Sequence, residues 1–305
     1  MTARDELLSR LEYLDAATLL PTMIDQGVVP SIHNGVANLL RKGMGIVAFN
    51  ILEDFIKKRC AEALENISTS GISFSLLTDS MQRGATMDAL SSLVFRARIE
   101  KKDGGDWKSL IQSETINIHS TKNPVFNLSP LSFASSGSNV TPDDVKDILA
   151  AFGIPNGWGA MKDLSDNISG GVPNLHDAYK FAAERRHQSA HSANFLYDYQ
   201  WLRNIRNEIL AIAASLDILL EARCRKIRSS LNKPVAEHAC DIWNVRFLME
   251  HGVSFKEAKS VTGRAIKNWP NLDDAIANIR SKLVHNDEFL VVLDNSRRIR
   301  KWYVN

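Results

Sequence analysis

Apolar residues recur at three- and four-residue spacing from Ile32 to Leu64 and again from Tyr199 to Arg228. Two helices of that length commit most of the chain to helix packing. In the first, Ile46, Phe49, Leu52, Phe55 and Ile56 share one side of Gly45-Ile-Val-Ala-Phe-Asn-Ile-Leu-Glu-Asp-Phe-Ile-Lys-Lys-Arg-Cys-Ala-Glu-Ala-Leu64. This segment opens apolar and becomes amphipathic, which marks a long, core-forming helix. In the second, Leu202, Ile205, Ile209, Ile212, Leu216 and Leu219 form the stripe.

Shorter elements fill the rest. The same periodicity predicts helices from Asp5 to about Leu20 and from Thr86 to Ile99, the latter ended by the polar loop Lys101-Lys-Asp-Gly-Gly-Asp106. From Ser113 to Asn139 the composition shifts to Ser, Asn, Thr and Pro, which reads as an irregular connection holding a short strand or two. Thr141-Pro-Asp-Asp144 then supplies a capping residue, proline at the first helical position and acids in the first turn, starting a helix through Phe152. Leu175 to Ala193 is rich in helix formers and holds no breaker. Past Pro234, short helices are expected over Val235–His251, Ser254–Gly263 and Leu272–Leu283, followed by a β-hairpin from Phe289 to Val304. The expected architecture is mainly α, an antiparallel helical bundle with a small C-terminal α/β module ending in a β-hairpin. Its divisions are an N-terminal helical extension over 1–40, a helical domain over 41–232 with an irregular insertion at about 101–140, and the module over 235–305.

Composition excludes several classes. With 305 residues, 44% of them hydrophobic, the chain can bury one large core or two modest ones. A net charge of +2 permits RNA without arguing for it, because electrostatic binding needs clustered charge. Cys60, Cys224 and Cys240 are odd in number and never form a CxxC pair, so they read as reduced thiols. The N-terminus carries acidic charge, and no apolar run reaches membrane-spanning length, so a cytoplasmic protein without a membrane partner is expected.

An arginine followed five positions on by a histidine has a chemical use. Imidazole moves protons near neutral pH, and guanidinium binds phosphate and its developing charge. With 20 Arg and 8 His, chance supplies about half a match per chain, yet three occur. Arg246-Phe-Leu-Met-Glu-His251 runs into Gly252, which suits a histidine in a last helical turn. Arg280-Ser-Lys-Leu-Val-His285 leads into Asn286-Asp-Glu and a predicted strand, placing its histidine at a helix end or turn. Arg186-His-Gln-Ser-Ala-His191 lies inside a predicted helix among Ser189, Ala190, Ser192 and Ala193, a surface that suits close approach of a partner helix. The residues alone leave this reading level with a solvated charge run, Glu184-Arg-Arg-His187.

Three segments in order resemble the HEPN superfamily, whose ribonucleases carry an Arg, a polar residue, and a His four to six residues after the Arg. The Gly45–Leu64 segment is similar to the first long helix of the RiboL-PSP and MAE_28990 branches. Ser138-Asn-Val-Thr-Pro-Asp-Asp-Val and Ala151-Phe-Gly-Ile154 resemble their middle segment, and Ala183-Glu-Arg-Arg-His-Gln-Ser-Ala-His-Ser192 their active-site helix. The resemblance spans roughly Met44 to Lys226. One position departs: the residue after the arginine is most often Asn or Asp in the family and is His187 here.

The resemblance implies metal-independent RNA cleavage at a site shared by two copies, with no cofactor and a 2′,3′-cyclic phosphate product. Arg186, His191 and His187 would be catalytic, with Arg185, Ser189, Ser192, Asn194 and Arg203 on RNA and Glu53 orienting an arginine. It also implies a phage-defence or toxin–antitoxin setting, in which an antitoxin or sensor protein restrains the nuclease. Two rival readings use the same helix. Glu184, His187, His191 and Asp198 fall on one face at spacings that suit a metal-dependent hydrolase. A non-catalytic RNA-binding or assembly module would instead place Arg185, Arg186 and Arg203 on phosphate. Tyr197 and Trp201 suit either base stacking or packing, and Arg297-Arg-Ile-Arg-Lys-Trp302 is the one dense basic patch.

Overall fold

The computed structural model describes residues 1–135, 137, 139–238 and 244–304. Its helices are α1 (Ala3–Thr18), α2 (Ile32–Ser68), α3 (Asp79–Arg83), α4 (Ala89–Lys102), α5 (Trp107–Ser120), α6 (Pro142–Ala151), α7 (Gly157–Asn167), α8 (Leu175–His191), α9 (Tyr199–Ser229) and α10 (Leu272–Leu283). Strands β1 (Asn244–His251), β2 (Ser254–Ala258), β3 (Lys267–Trp269), β4 (Glu288–Leu293) and β5 (Ile299–Tyr303) complete a mainly helical fold with a small mixed sheet. Local chemistry sets several boundaries. Thr2 and Thr141 each form a reciprocal capping box, with Asp5 and Asp144 respectively, which satisfies orphan amides at the starts of α1 and α6.

The chain clusters into two compact units. One comprises Ile56–Ala160 and Leu219–Ile242. Within it Arg223 of α9 is 1% exposed and donates to the carbonyls of Phe152, Gly153, Val235 and His238 at 2.7–3.1 Å. A single guanidinium thus satisfies the C-terminal end of α6 and the turn that follows Pro234. Burial and the Arg223 cation hold the His238 imidazole below its ordinary range. Nearby, Glu221 accepts from Arg59 at 3.1 Å and Arg228 at 2.9 Å.

The other unit comprises Met1–Phe55, Met161–Ile218 and Trp243–Asn305. Its sheet has the order β3-β2-β1-β4-β5, with β1 and β4 parallel and α10 making the crossover between β3 and β4. One face packs Leu248, Leu290 and Val292 against Ile276, Ile279 and Leu283 of α10. Alternate positions on the opposite face, Phe247, Met249, Phe289, Val291 and Trp302, are also buried. Trp302 meets Phe55 of α2 edge-on at 6.4 Å and donates its indole N–H to Asp217 of α9 at 2.7 Å. The sheet is therefore sandwiched between α10 and long helices.

Four expectations change. Val235–His251 and Ser254–Gly263 do not form helices: their described parts hold β1 and β2. The centre of β1, Phe247-Leu248-Met249, is buried on both faces and reads as a continuous apolar run, and periodicity cannot separate a short run of that kind from helix. His251 therefore ends a strand instead of a helix. Helix continues past Ser113 to Ser120, started by Asp106, whose carboxylate accepts from Ser109 N at 3.1 Å, and no strand lies between 113 and 139 among the described residues. Helix α7 forms where none is expected. The remaining predicted helices and the terminal hairpin form within a few residues of their expected limits.

Candidate active site

Asn174 opens α8 by accepting from Asp177 N at 3.1 Å, and the helix buries Leu175, Ala178, Tyr179, Ala182 and Ser189 in a stripe at helical spacing. Its last residue is His191. Ser192 turns to extended backbone (φ −110°, ψ 106°), so the expected continuation to Ala193 fails and His191 sits at the helix terminus instead of inside the helix. His187 and His191 are exposed one turn apart, with ring centroids 4.7 Å from each other.

Arg186 lies on the flank of α8 nearer the buried stripe and is half-buried. Its Nε is enclosed without a hydrogen-bond partner, as is the hydroxyl of Ser189 one turn on. On an ideal helix, residues five apart diverge by about 140°, so Arg186 and His191 of one chain do not form a tight pair.

Arg185 points to α9. Its guanidinium stacks 4.2 Å from the ring centroid of Trp201 and comes within 4.0 Å of Glu208. Burial raises the Glu208 carboxyl above the usual carboxylate range, with Arg185 opposing. It likewise pushes the phenol of Tyr197 up to about 12, opposed by Arg185 and assisted by Glu208. Tyr197 is 1% exposed, whereas Trp201 is 45% exposed.

A support that the local sequence pattern does not reveal comes from α2. Lys42 Nζ donates to the carbonyls of Ser192 and Ala193 at 2.7 and 3.3 Å. One turn earlier, the Asn38 side chain donates to Phe195 O at 3.1 Å and accepts from Tyr197 N at 2.8 Å. One turn later, Gly45 admits the Tyr197 ring where any Cβ would overlap it. Positions 38, 42 and 45 share one face of α2 and hold the segment that leaves His191. Their contacts span 150 residues or more, so the only available signal was a glycine and two polar residues recurring at helical spacing on a core helix.

The other expected site residues are dispersed. Ser192 and Asn194 are exposed beyond the helix, and Arg203 is exposed with its guanidinium 6.0 Å from the Tyr199 ring. Glu53 is 6% exposed on α2. Of the metal-hydrolase set, Glu184 lies 4.0 Å from Lys180, and Asp198 accepts from Trp201 N at 3.0 Å as the cap of α9. Among the described residues, no group of three or more His, Cys, Asp or Glu is placed to hold a metal ion. The basic C-terminal patch is not one surface: Trp302 and Ile299 are buried, Arg300 pairs with Glu250 and Arg297 reaches the Met249 sulfur. No described helix is long and apolar enough to cross a membrane.

No curated protein and no solved structure matches this chain. A family model does, the RiboL-PSP HEPN model, over residues 6–222, which includes α8, α2 and most of α9. That span exceeds half the chain and contains Arg186, His187 and His191, so the protein belongs to the RiboL-PSP branch of the HEPN superfamily, whose domains are ribonuclease-like or RNA-binding modules.

Proposed function

We propose that the protein is a metal-independent endoribonuclease whose active site forms when the α8 helices of two copies face each other. The observation that carries the reading is the end of α8. There, within the family-matched span, an exposed histidine pair at 4.7 Å accompanies an arginine that makes no ion pair among the described residues. One His191 takes the proton of the ribose 2′-hydroxyl as the oxygen attacks phosphorus. The other protonates the departing 5′-oxygen, giving a 2′,3′-cyclic phosphate and a 5′-hydroxyl. Arg186 neutralises charge on the phosphorane. A two-fold axis supplies both copies of each residue to one phosphate, which offsets their divergence on a single helix. The matching biological reading is cytoplasmic phage defence or a toxin–antitoxin pair, with an antitoxin or sensor protein restraining the nuclease.

The test is digestion of RNA in EDTA by the wild type, Arg186→Ala and His191→Ala, with analysis of the new 3′ ends. Cleavage by the wild type alone, leaving cyclic phosphate, is expected. Activity lost on chelation would instead assign a metal site, and an inactive wild type that binds RNA would assign a binding module.

A further inference from the structure

We propose that Trp201 is a base-stacking platform that makes the site select an unpaired nucleotide beside the scissile phosphate. The inference rests on the ribonuclease reading for the identity of the substrate, but the geometry of Trp201 is its own argument. At the start of α9, Tyr197 is enclosed whereas Trp201 keeps 45% of its surface in solvent. One face of its indole is covered by the Arg185 guanidinium at 4.2 Å, and Glu208 stands within 4.0 Å of that cation. The other face has no ring or cation partner among the described residues.

An exposed tryptophan backed by a buried-side cation differs from a packing residue. Its ring is held in orientation before any ligand arrives, so stacking costs little side-chain entropy. A planar base is the ligand that fits a fixed, open π face, and every base supplies one, so the contact tolerates sequence. It does not tolerate pairing, because a base within a duplex is already stacked on both sides. Position adds to this: Arg185, on which the indole rests, precedes His191 by six residues, about 9 Å of helix rise. A base stacked there belongs to a nucleotide near the one whose 2′-hydroxyl His191 would deprotonate.

The experiment uses the full chain carrying His191→Ala, so that RNA stays intact. Binding is followed by fluorescence anisotropy with a labelled single-stranded RNA of mixed sequence and with the same RNA annealed to its complement. Replacing Trp201 by Leu is expected to weaken single-strand binding by roughly five- to a hundredfold, with duplex binding unchanged. Trp201→Phe, which keeps an aromatic face, should restore most of the loss. Because Trp201→Leu loses the Arg185 contact and can lower stability, a second measurement keeps Trp201: 2-aminopurine is placed at each position of the single strand in turn. Quenching at one position supports stacking. Unchanged single-strand affinity in Trp201→Leu, equal loss on duplex, or absence of quenching at every position overturns it. If the chain binds no RNA, the nuclease reading falls as well. His191-dependent cleavage with unchanged affinity in Trp201→Leu overturns stacking alone.

Discussion

Three arginine–histidine pairs of identical spacing meet three different surroundings. The Nη atoms of Arg246 donate to Glu257 and Glu288 at 3.0 and 2.6 Å, and Arg280 lies 4.8 Å from the Tyr303 ring. Arg186 makes neither an ion pair nor a ring contact among the described residues, which leaves its charge for a phosphate. Removing either Arg186 or His191 should therefore lower cleavage by about 10²–10⁴-fold, whereas His285→Ala should leave it near wild type; rates on one RNA substrate decide. His187→Asn, which keeps a polar side chain at that position, should hold activity within about tenfold if His187 is a polar helper. A large loss there would point to a metal ligand. Buried polar residues carry a different prediction. Arg223→Leu leaves four carbonyls without their donor, and at about 1–3 kcal/mol for each buried group left unpaired it should cost roughly 3–5 kcal/mol in urea unfolding, allowing for water reaching some of them. His238 sets a pH dependence. Its folded pKa lies below the ordinary 6.5, so the folded state resists its protonation, and stability present above 6.5 should fall as pH drops below that value. Unfolding at pH 7.5 and 5.5 measures this, and His238→Asn should flatten that part of the profile. The proposed pair could be picked out from residue type and spacing, but the surroundings that set it apart from the other two could not, because they depend on partners 11 to 42 positions away.

At the scale of elements, α2 works as the scaffold for the exit of α8. Asn38, Lys42 and Gly45 contact the backbone and Tyr197 ring of the segment from Ser192 to Tyr197, which directly follows His191. Gly45→Ala gains up to about 1 kcal/mol of helix propensity, but its Cβ overlaps the enclosed Tyr197 ring, and overpacking costs about 1–3 kcal/mol. The net effect should be a lower melting temperature and slower cleavage. Gly43→Ala, two residues away in open solvent, should raise the melting temperature slightly and leave cleavage unchanged. Differential scanning calorimetry of the two variants checks both signs. Helices with strong caps or uninterrupted stripes, such as α1, α2, α6, α9 and α10, were readable because their signals are local. Strand β1 was not: Phe247, Leu248 and Met249 are all buried, which erases the two-residue alternation that would have announced a strand. The end of α8 was missed by two residues because Ser192 and Ala193 are compatible with helix, and the α2 side chains that contact the extended path lie 150 positions or more earlier.

Across the whole molecule, the sheet that follows α9 is covered on both faces within the same compact unit as α8, so it belongs to the body that presents the site. This unit presents one Arg186 and one His191 on diverging sides of a helix, and the proposed chemistry requires a second copy to complete the set. Mixing wild type with an equal amount of His191→Ala under conditions that exchange subunits tests that requirement directly. Random exchange makes about half the dimers mixed, each with one His191 where the chemistry needs two, so activity is predicted to fall to about a quarter of that of the same total amount of wild-type protein. Mixed dimers that form, as detected by native mass spectrometry, while activity stays at about half would contradict the shared site.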